Sequence, residues 1–403
     1  MAVDLSNLYK PIFSDVKIEK YIVEKCPALA WIDRDKNFTS TTKEVAVVSN
    51  NNQRAGADFT LAKAMTGEAV YEKFVISQKK VYAFSTISGQ DFTNFSEGGS
   101  ESYFMNHLKM NTLGTLETIT GKVAQQLYGN GTGLMGRLSA GTASPVTFEK
   151  VSSVAHIYVG LTLRFGPNAD GSSLRTGTAT VTNVDYDTGI VTYTGTITSL
   201  AATDYVFPAT DVASSVLAQG LDAYNPETPT TLNGIDQTAN TLRYSGVRFD
   251  CNASATRSGY PIEVGIPAAL ARHRTMAKGA GGVDAIFMNP IDIDRLSQAK
   301  VGTTPYKMGA NDAYKSFELS IEGFMVNGTP VVSDPFAPEG IARGIKKGSM
   351  TWHTAGQVPK VDNRDGNTTR ASGTADELDT QFFLYHNFCS QAPVGLLRIK
   401  LPT

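Results

Sequence analysis

The sequence predicts an α+β protein carrying a small all-β insertion, and three observations lead there. One long amphipathic helix ends near residue 128, residues 145 to 210 alternate in a Thr-rich β pattern, and residues 261 to 300 read helix, strand, helix. Charged residues reach only 18%, a balance closer to β-rich structural proteins than to helical enzymes.

Each element follows from its local chemistry. Residues 1–44 mix short apolar pieces with polar breaks, and Cys26-Pro27 interrupts any helix begun near Val16, so an extended arm with one short helix is expected. Residues 45–96 carry two β-rich runs, Glu44 to Ser49 and Tyr71 to Ser85, around a polar, glycine-containing middle. This describes a long two-stranded loop, which is marginal alone and must lie on its own domain or on a neighbouring subunit.

Residues 97–144 hold the clearest element. Ser100 is a suitable N-cap after Glu97-Gly98-Gly99, and Met105, Leu108, Thr112, Leu116, Ile119, Val123 and Leu127 step by three and four. A helix from Glu101 to Tyr128 would extend roughly 42 Å. Its other face carries Met110, Gly114 and Gly121, and the cost of mid-helix glycine implies close packing there as well.

The helix runs into LYGNGTGLMGRL, where Gly131, Gly133 and Gly136 match GxGxxG letter for letter. A dinucleotide loop needs a strand before those glycines and a helix after them. Here a helix precedes and turn-like GRLSAGTASPV follows, so the glycines read as a helix stop, with Gly129 as the left-handed residue.

Residues 145–212 alternate around Asp187-Thr188-Gly189, a hairpin turn, and about five strands would close a small sandwich or barrel. In residues 213–353, Pro261 to Lys278 reads as a helix on Ile262, Ile266, Ala269, Leu270, His273 and Met276. VDAIFMNP follows as a buried strand, IDIDRLSQAK as a helix, and Asn327-Gly328 as a tight turn between strands. Residues 354–380 are polar and read as a loop, and residues 381–403 close the chain in strands.

The whole-chain totals restrict function. At 403 residues the chain can hold two or three domains, and 36 Lys and Arg against 38 Asp and Glu leave a net charge of −2, without overall bias toward nucleic acid or an anionic membrane. Cys26, Cys251 and Cys389 form no CxxC pair, which fits folding in a reducing cytoplasm. Asp4 and Lys10 break the N-terminal apolar stretch, so no secretory core is expected, and no run approaches the ~20 apolar residues of a membrane span.

Catalytic and metal-binding patterns are not found. His107, His156, His273, His353 and His386 lack HxxxH and HExxH spacing, and no GxSxG elbow occurs. VDNRDGNTT resembles a calcium loop but places Val361 and Ser372 at its first and twelfth ligand positions. Asp292 and Asp294 fall in a first helical turn, where they offset the dipole. The basic stretches Arg272–Lys278 and Lys346-Lys347 read as solvated faces, with phosphate contact as the alternative. No catalytic residue, cofactor or metal is expected.

The order of these elements resembles the major capsid protein of tailed double-stranded DNA bacteriophages. FVISQKKVYAFSTISGQDF looks like that family's loop strand running into its spine helix, and LYGNGTG is similar to the turn ending the spine. LNGIDQ, VDAIFMNPIDIDRL, VNGTPVVSDPFAPEGIARG and SQAPVGLL resemble its axial-domain segments, collinear over roughly residues 45 to 403 apart from the insertion.

The resemblance implies an N-terminal arm (1–44), an extended β-loop (45–96), a peripheral-domain spine helix with its glycine loop (97–144), and an axial domain (213–353). A peripheral loop (354–380) and C-terminal axial strands (381–403) complete it, and the β-insert (145–212) is an addition to the minimal fold. It implies a shell of hexamers and pentamers around double-stranded DNA that is contacted non-specifically, in a virion assembled in host cytoplasm. Portal and decoration proteins are expected partners, and the short arm points to a separate scaffolding protein. Candidate inter-subunit contacts on the loop are Arg54, Phe59, Lys63, Met65, Glu68 and Tyr71. An encapsulin-like compartment shell is the alternative, followed by an enzyme whose site is assembled from distant residues.

Overall fold

The stripe of apolar residues is a helix, Glu101–Tyr128, of 28 residues. The computed structural model describes residues 25–50, 54–65, 70–90, 101–211, 217–252, 259–278, 281–301, 324–364, 369–371 and 376–402. Thr112, Leu116, Ile119, Val123 and Leu127 are buried on one face of the helix. The opposite face differs from expectation: Gly114 meets open space and Met110 is exposed, and among the described residues it packs only near Gly121 and Tyr128.

The helix lies along the strand Lys79–Ser88, where Asn111 Nδ2 and Thr115 Oγ1 donate to the carbonyls of Thr86 and Phe84 at 3.2 and 3.4 Å. That strand belongs to a six-stranded sheet organised on Glu377–Ser390, whose 14 residues pair antiparallel with Lys79–Ser88 and Met350–Thr354. Asp33–Asp35 joins in parallel beside Met350–Thr354. The run Tyr71 to Ser85 is therefore not one strand. It breaks at Gln78, Val70–Ser77 pairing with Thr42–Asn50 while Lys79–Ser88 pairs with residues some three hundred positions away.

Pairing also redraws the C-terminal third. The stretch 354–380 contains Lys360–Val361, Arg370–Ala371 and the first residues of Glu377–Ser390, all held by cross-strand partners despite their polarity. The strands after residue 381 divide between two sheets, Glu377–Ser390 in the first and Leu396–Lys400 in the second, with a short turn at Pro393–Gly395 between them.

The second sheet runs Val247–Asp250, Leu396–Lys400, Ile341–Ile345, Ala285–Met288, Thr329–Ser333, Phe324–Val326. Asn327 and Gly328 both take positive φ, 49° and 79°, as the tight two-residue hairpin turn requires. Helices Ile262–Met276 and Pro290–Val301 cover the sheet, burying Ile266, Leu270 and Leu296 against Ile286, Met288 and Ile399. Met276 departs from the predicted apolar face and is exposed. Asp292 does more than offset a dipole: fully buried, it accepts from the backbone N–H of Gly340 at 2.7 Å and so fixes the turn before Ile341–Ile345.

The Thr-rich insertion is a closed barrel of six strands, in the order Tyr205–Pro208, Gly136–Ala140, Val146–Phe148, Ile190–Thr194, Ala179–Asp185, Thr162–Gly166. Its first strand starts at Gly136, nine residues before the expected boundary at residue 145. GRLSA reads as turn because its residues are small and polar, yet Leu138 enters the barrel core beside Phe148 and Val206. Gly189, with φ 72°, makes the predicted hairpin turn.

One buried carboxylate joins three distant segments. Asp334 accepts from Tyr128 Oη at 2.8 Å, from the backbone N–H of Ala28 at 3.2 Å and from that of Phe336 at 2.9 Å, with the Cys26 thiol at 3.5 Å. Burial raises its pKa above the usual carboxylate range, and these donors act against that shift. A hydrogen bond to a charged acceptor is worth about 1.5–3 kcal/mol. We predict that Tyr128→Phe lowers the thermal unfolding midpoint by several degrees; an unchanged midpoint would mean that the hydroxyl does not hold the helix end.

Candidate assembly surface

The hairpin formed by Thr42–Asn50 and Val70–Ser77 is rigid at one end and bare at the other. Alternation along the strands turns Val45, Val47, Phe74 and Ile76 into the core and leaves Tyr71 and Val75 outside. At its base, Phe74 meets Tyr224 edge to face at 5.3 Å, and Val75 N–H donates to Asn233 O at 3.3 Å. Asn387 Nδ2 donates to Ser77 O at 2.8 Å, and Asn240 Nδ2 to Ser49 O at 2.9 Å.

A charged contact completes the base. Asp35 pairs with Lys43 and, at 3.0 Å, with Nδ1 of buried His353, joining the edge strand, the hairpin and the first sheet. The Lys43 hydrogen bond is the main reason that the Asp35 pKa falls from 3.8 to about 2. The His353 pKa also falls below its usual range, in this case chiefly by burial.

The tip lies beyond the irregularity at Val48 and Asn50. A short helix, Phe59–Ala64, is capped by Asp58, whose Oδ1 accepts from Leu61 N–H at 2.9 Å. Phe59 is 81% exposed, Leu61 68% and Tyr71 66%, so this tip shows three large apolar side chains to solvent at once. Covering a side chain of this kind is worth roughly 1.5–3 kcal/mol, although association offsets part of that gain.

The glycine string lies elsewhere, between the long helix and the barrel. Gly131 and Gly133 take φ of 92° and 79°, whereas Gly129 stays outside the left-handed region and its N–H donates to Gln125 O at 2.9 Å, prolonging the helical pattern. The reversal thus falls two residues later than expected. The string lines a cleft of about 480 Å³ shared with Arg343, Arg398 and Asp222. Both arginines pair with Asp222, and burial is the main cause that brings the Arg343 pKa down to about 10.

No protein-family model matches the chain, and no curated protein matches it by sequence. Solved structures do. The chain is similar to one from the cyanophage A-1(L) capsid asymmetric unit, with 14% identity, a TM-score of 0.54, and coverage of 94% of this chain and 93% of that one. The chain has a tailed-phage capsid fold. Weaker likenesses are to the capsid of a native GTA particle (9% identity, TM-score 0.46, 93% and 90% covered) and to the SrpI encapsulin of Synechococcus elongatus PCC 7942 (9%, 0.43, 93% and 86%). Neither of these two bears on the fold.

Within this capsid fold, the sequence-derived contact residues Arg54, Phe59, Lys63, Met65 and Tyr71 are all exposed on the hairpin, and Glu68 lies outside the described residues. Leu61 and Val70 extend the same apolar surface and were not anticipated. The FTLAKAM segment held the signal for Leu61, two residues after Phe59 in an otherwise small and polar stretch. Of the histidines, His156 stacks on Phe336, His273 Nε2 meets Val394 O at 3.1 Å, and His386 Nδ1 accepts from Trp352 Nε1 at 3.1 Å.

The pH dependence of the hairpin base follows from Asp35. A depressed carboxylate pKa stabilises the fold fully above about pH 4 and ceases to do so as the pH falls through about 2. We predict that Asp35→Asn lowers hydrogen-exchange protection of the 42–50 strand by about 1 kcal/mol at neutral pH, a value discounted for partial exposure. The difference from the parent chain should shrink steadily below pH 4 and be largely lost as the pH falls through about 2. A gap that persisted there would assign the loss to something other than the carboxylate charge.

Proposed function

We propose that this chain is the repeating subunit of a phage capsid, forming hexamers and pentamers of an icosahedral shell around double-stranded DNA, and that its role is structural. The observation that carries this reading is the hairpin: a clamped base presenting Phe59, Leu61 and Tyr71 to solvent. A soluble monomer gains nothing by holding such a tip out, whereas a neighbouring copy that covers it recovers the burial energy. If a different patch of the neighbouring copy receives the tip, the contact is heterologous, and such contacts close into rings when the rotation between copies closes. A net charge of −2 limits repulsion among many packed copies.

In this reading the long helix and first sheet form the peripheral domain, and the second sheet with its helices forms the axial domain around the capsomer centre. Shells assemble in the host cytoplasm with a separate scaffolding protein, then take portal and decoration proteins. Electron microscopy of the expressed chain, alone and with a candidate scaffold, tests this. Rings or shells of hexameric and pentameric subunits are expected, and a discrete monomer or dimer under every condition would sink the proposal. Phe59→Ser with Leu61→Ser should abolish shells while leaving the thermal midpoint within a degree or two, since neither side chain touches a core; intact shells would exclude the tip as a contact.

A further inference from the structure

The end of helix Ile262–Met276 gathers positive charge from two places in the chain. Arg274 and Lys278, four residues apart, come from the helix and the turn after it, and Lys346 and Lys347 follow the strand Ile341–Ile345. Lys346 and Arg274 approach each other's segments at Gly281 and Gly282, with Lys278 and Lys347 next along the chain on either side. A β-carbon built on Gly281 would stand 3.0 Å from Lys346 Nζ, and one on Gly282 would stand 3.4 Å from Arg274 Nε. Having no side chain, these two glycines put nothing of their own over Lys346 Nζ or Arg274 Nε. His273, buried beneath them, is held below its usual pKa by burial first, with Lys346 and Arg274 adding to the effect.

The charge is not neutralised locally. Among the described residues none of the four side chains forms an ion pair. Arg274 Nη2 donates to Asn327 O at 3.1 Å, and Asp284 accepts from the backbone N–H of Lys347 at 2.9 Å. A helix C-terminus offers roughly half a negative charge, so with Asp284 it offsets well under half of four cations. Offsetting the dipole, the ordinary reason for basic residues at this position, accounts for only part of the cluster.

We propose that Arg274, Lys278, Lys346 and Lys347 form a contact surface for the phosphate backbone of double-stranded DNA, which marks this side of the subunit as the inner face of the shell. The inference rests on the shell reading above and adds an orientation to it. Arg274, Lys278 and Lys347 are exposed and Lys346 is half-buried, an open array suited to a repeating line of phosphates. Single-stranded nucleic acid fits less well, since it is held by stacking on aromatic rings. Among the described residues, the exposed aromatic side chains, Phe59, Tyr71, Tyr82, Phe84, Tyr158 and Tyr186, lie on the hairpin, the first sheet and the barrel. Base reading is not expected, and binding should be independent of sequence.

The test uses the full chain and a short mixed-sequence DNA duplex, with affinity followed by fluorescence anisotropy across a salt series. Each phosphate contact contributes about 0.9 to the slope of log affinity against log salt. The triple variant Arg274→Gln, Lys278→Gln, Lys346→Gln should flatten that slope by roughly two to three. A control with the same charge change elsewhere, Lys36→Gln, Lys80→Gln, Lys360→Gln, should leave it nearly unchanged. Both variants should form the same particles as the parent under the electron microscope. An unaltered slope in the patch variant overturns the proposal. So does loss of particles in that variant alone, which would make the patch a subunit contact, or competition by poly-glutamate as effective as unlabelled duplex, which would indicate an acidic protein partner. Failure of the parent chain to form particles would instead refute the shell reading, whatever the DNA result.

Discussion

The fold depends on how a few buried charged groups find partners, and Asp334 shows this most directly. An ionised carboxylate removed from water is costly unless several donors replace the solvent. Asp334 draws those donors from the segment at Ala28, from the last turn of the long helix at Tyr128, and from its own turn at Phe336. The segment at Ala28, the helix packed on the first sheet and the end of strand Thr329–Ser333 in the second sheet are thereby brought to one point. Asp222 repeats the arrangement nearby, holding Arg343 and Arg398 from adjacent strands of the second sheet.

Those polar joints explain how a narrow hairpin can be held in a defined direction. Its strands bury only Val45, Val47, Phe74 and Ile76, too little to fix an isolated two-stranded ribbon. The Asn240 and Asn387 side chains, far apart in the chain, donate to carbonyls of the two strands, and Asn233 accepts from Val75 N–H through its own carbonyl while its side chain donates to Tyr224 Oη. Base and tip are therefore one design: side-chain hydrogen bonds tie the base to the body, and the tip presents Phe59, Leu61 and Tyr71.

Legibility in the sequence followed the distance to the interacting partner. The long helix, the succession from Val283 to Arg295 and the Asn327-Gly328 turn are dictated by neighbours within a few residues, and all could be read from periodicity or turn chemistry. The break at Gln78 could not, because Lys79–Ser88 is drawn away by Glu377–Ser390, whose polar first half looks like loop until its partner is known. Gly136–Ala140 was obscured for the same reason, its one apolar residue, Leu138, making sense only inside a closed barrel. On the hairpin, Phe59, Met65 and Tyr71 stood out as large apolar residues in polar surroundings. The joints at its base were invisible, since asparagine gives no sign of which carbonyl it will meet.

The barrel's attachment has a consequence for how such a chain can change over generations. Its core is its own, and the segments that lead into and out of it lie side by side, Gly220 N–H donating to Gly129 O at 3.0 Å and Leu217 N–H to Gly131 O at 3.3 Å. A chain that departs and returns through neighbouring positions imposes no spacing requirement on what is placed between them. The insertion is thus a cassette, whose exchange or loss would leave the residues that hold the two sheets and the hairpin together in place.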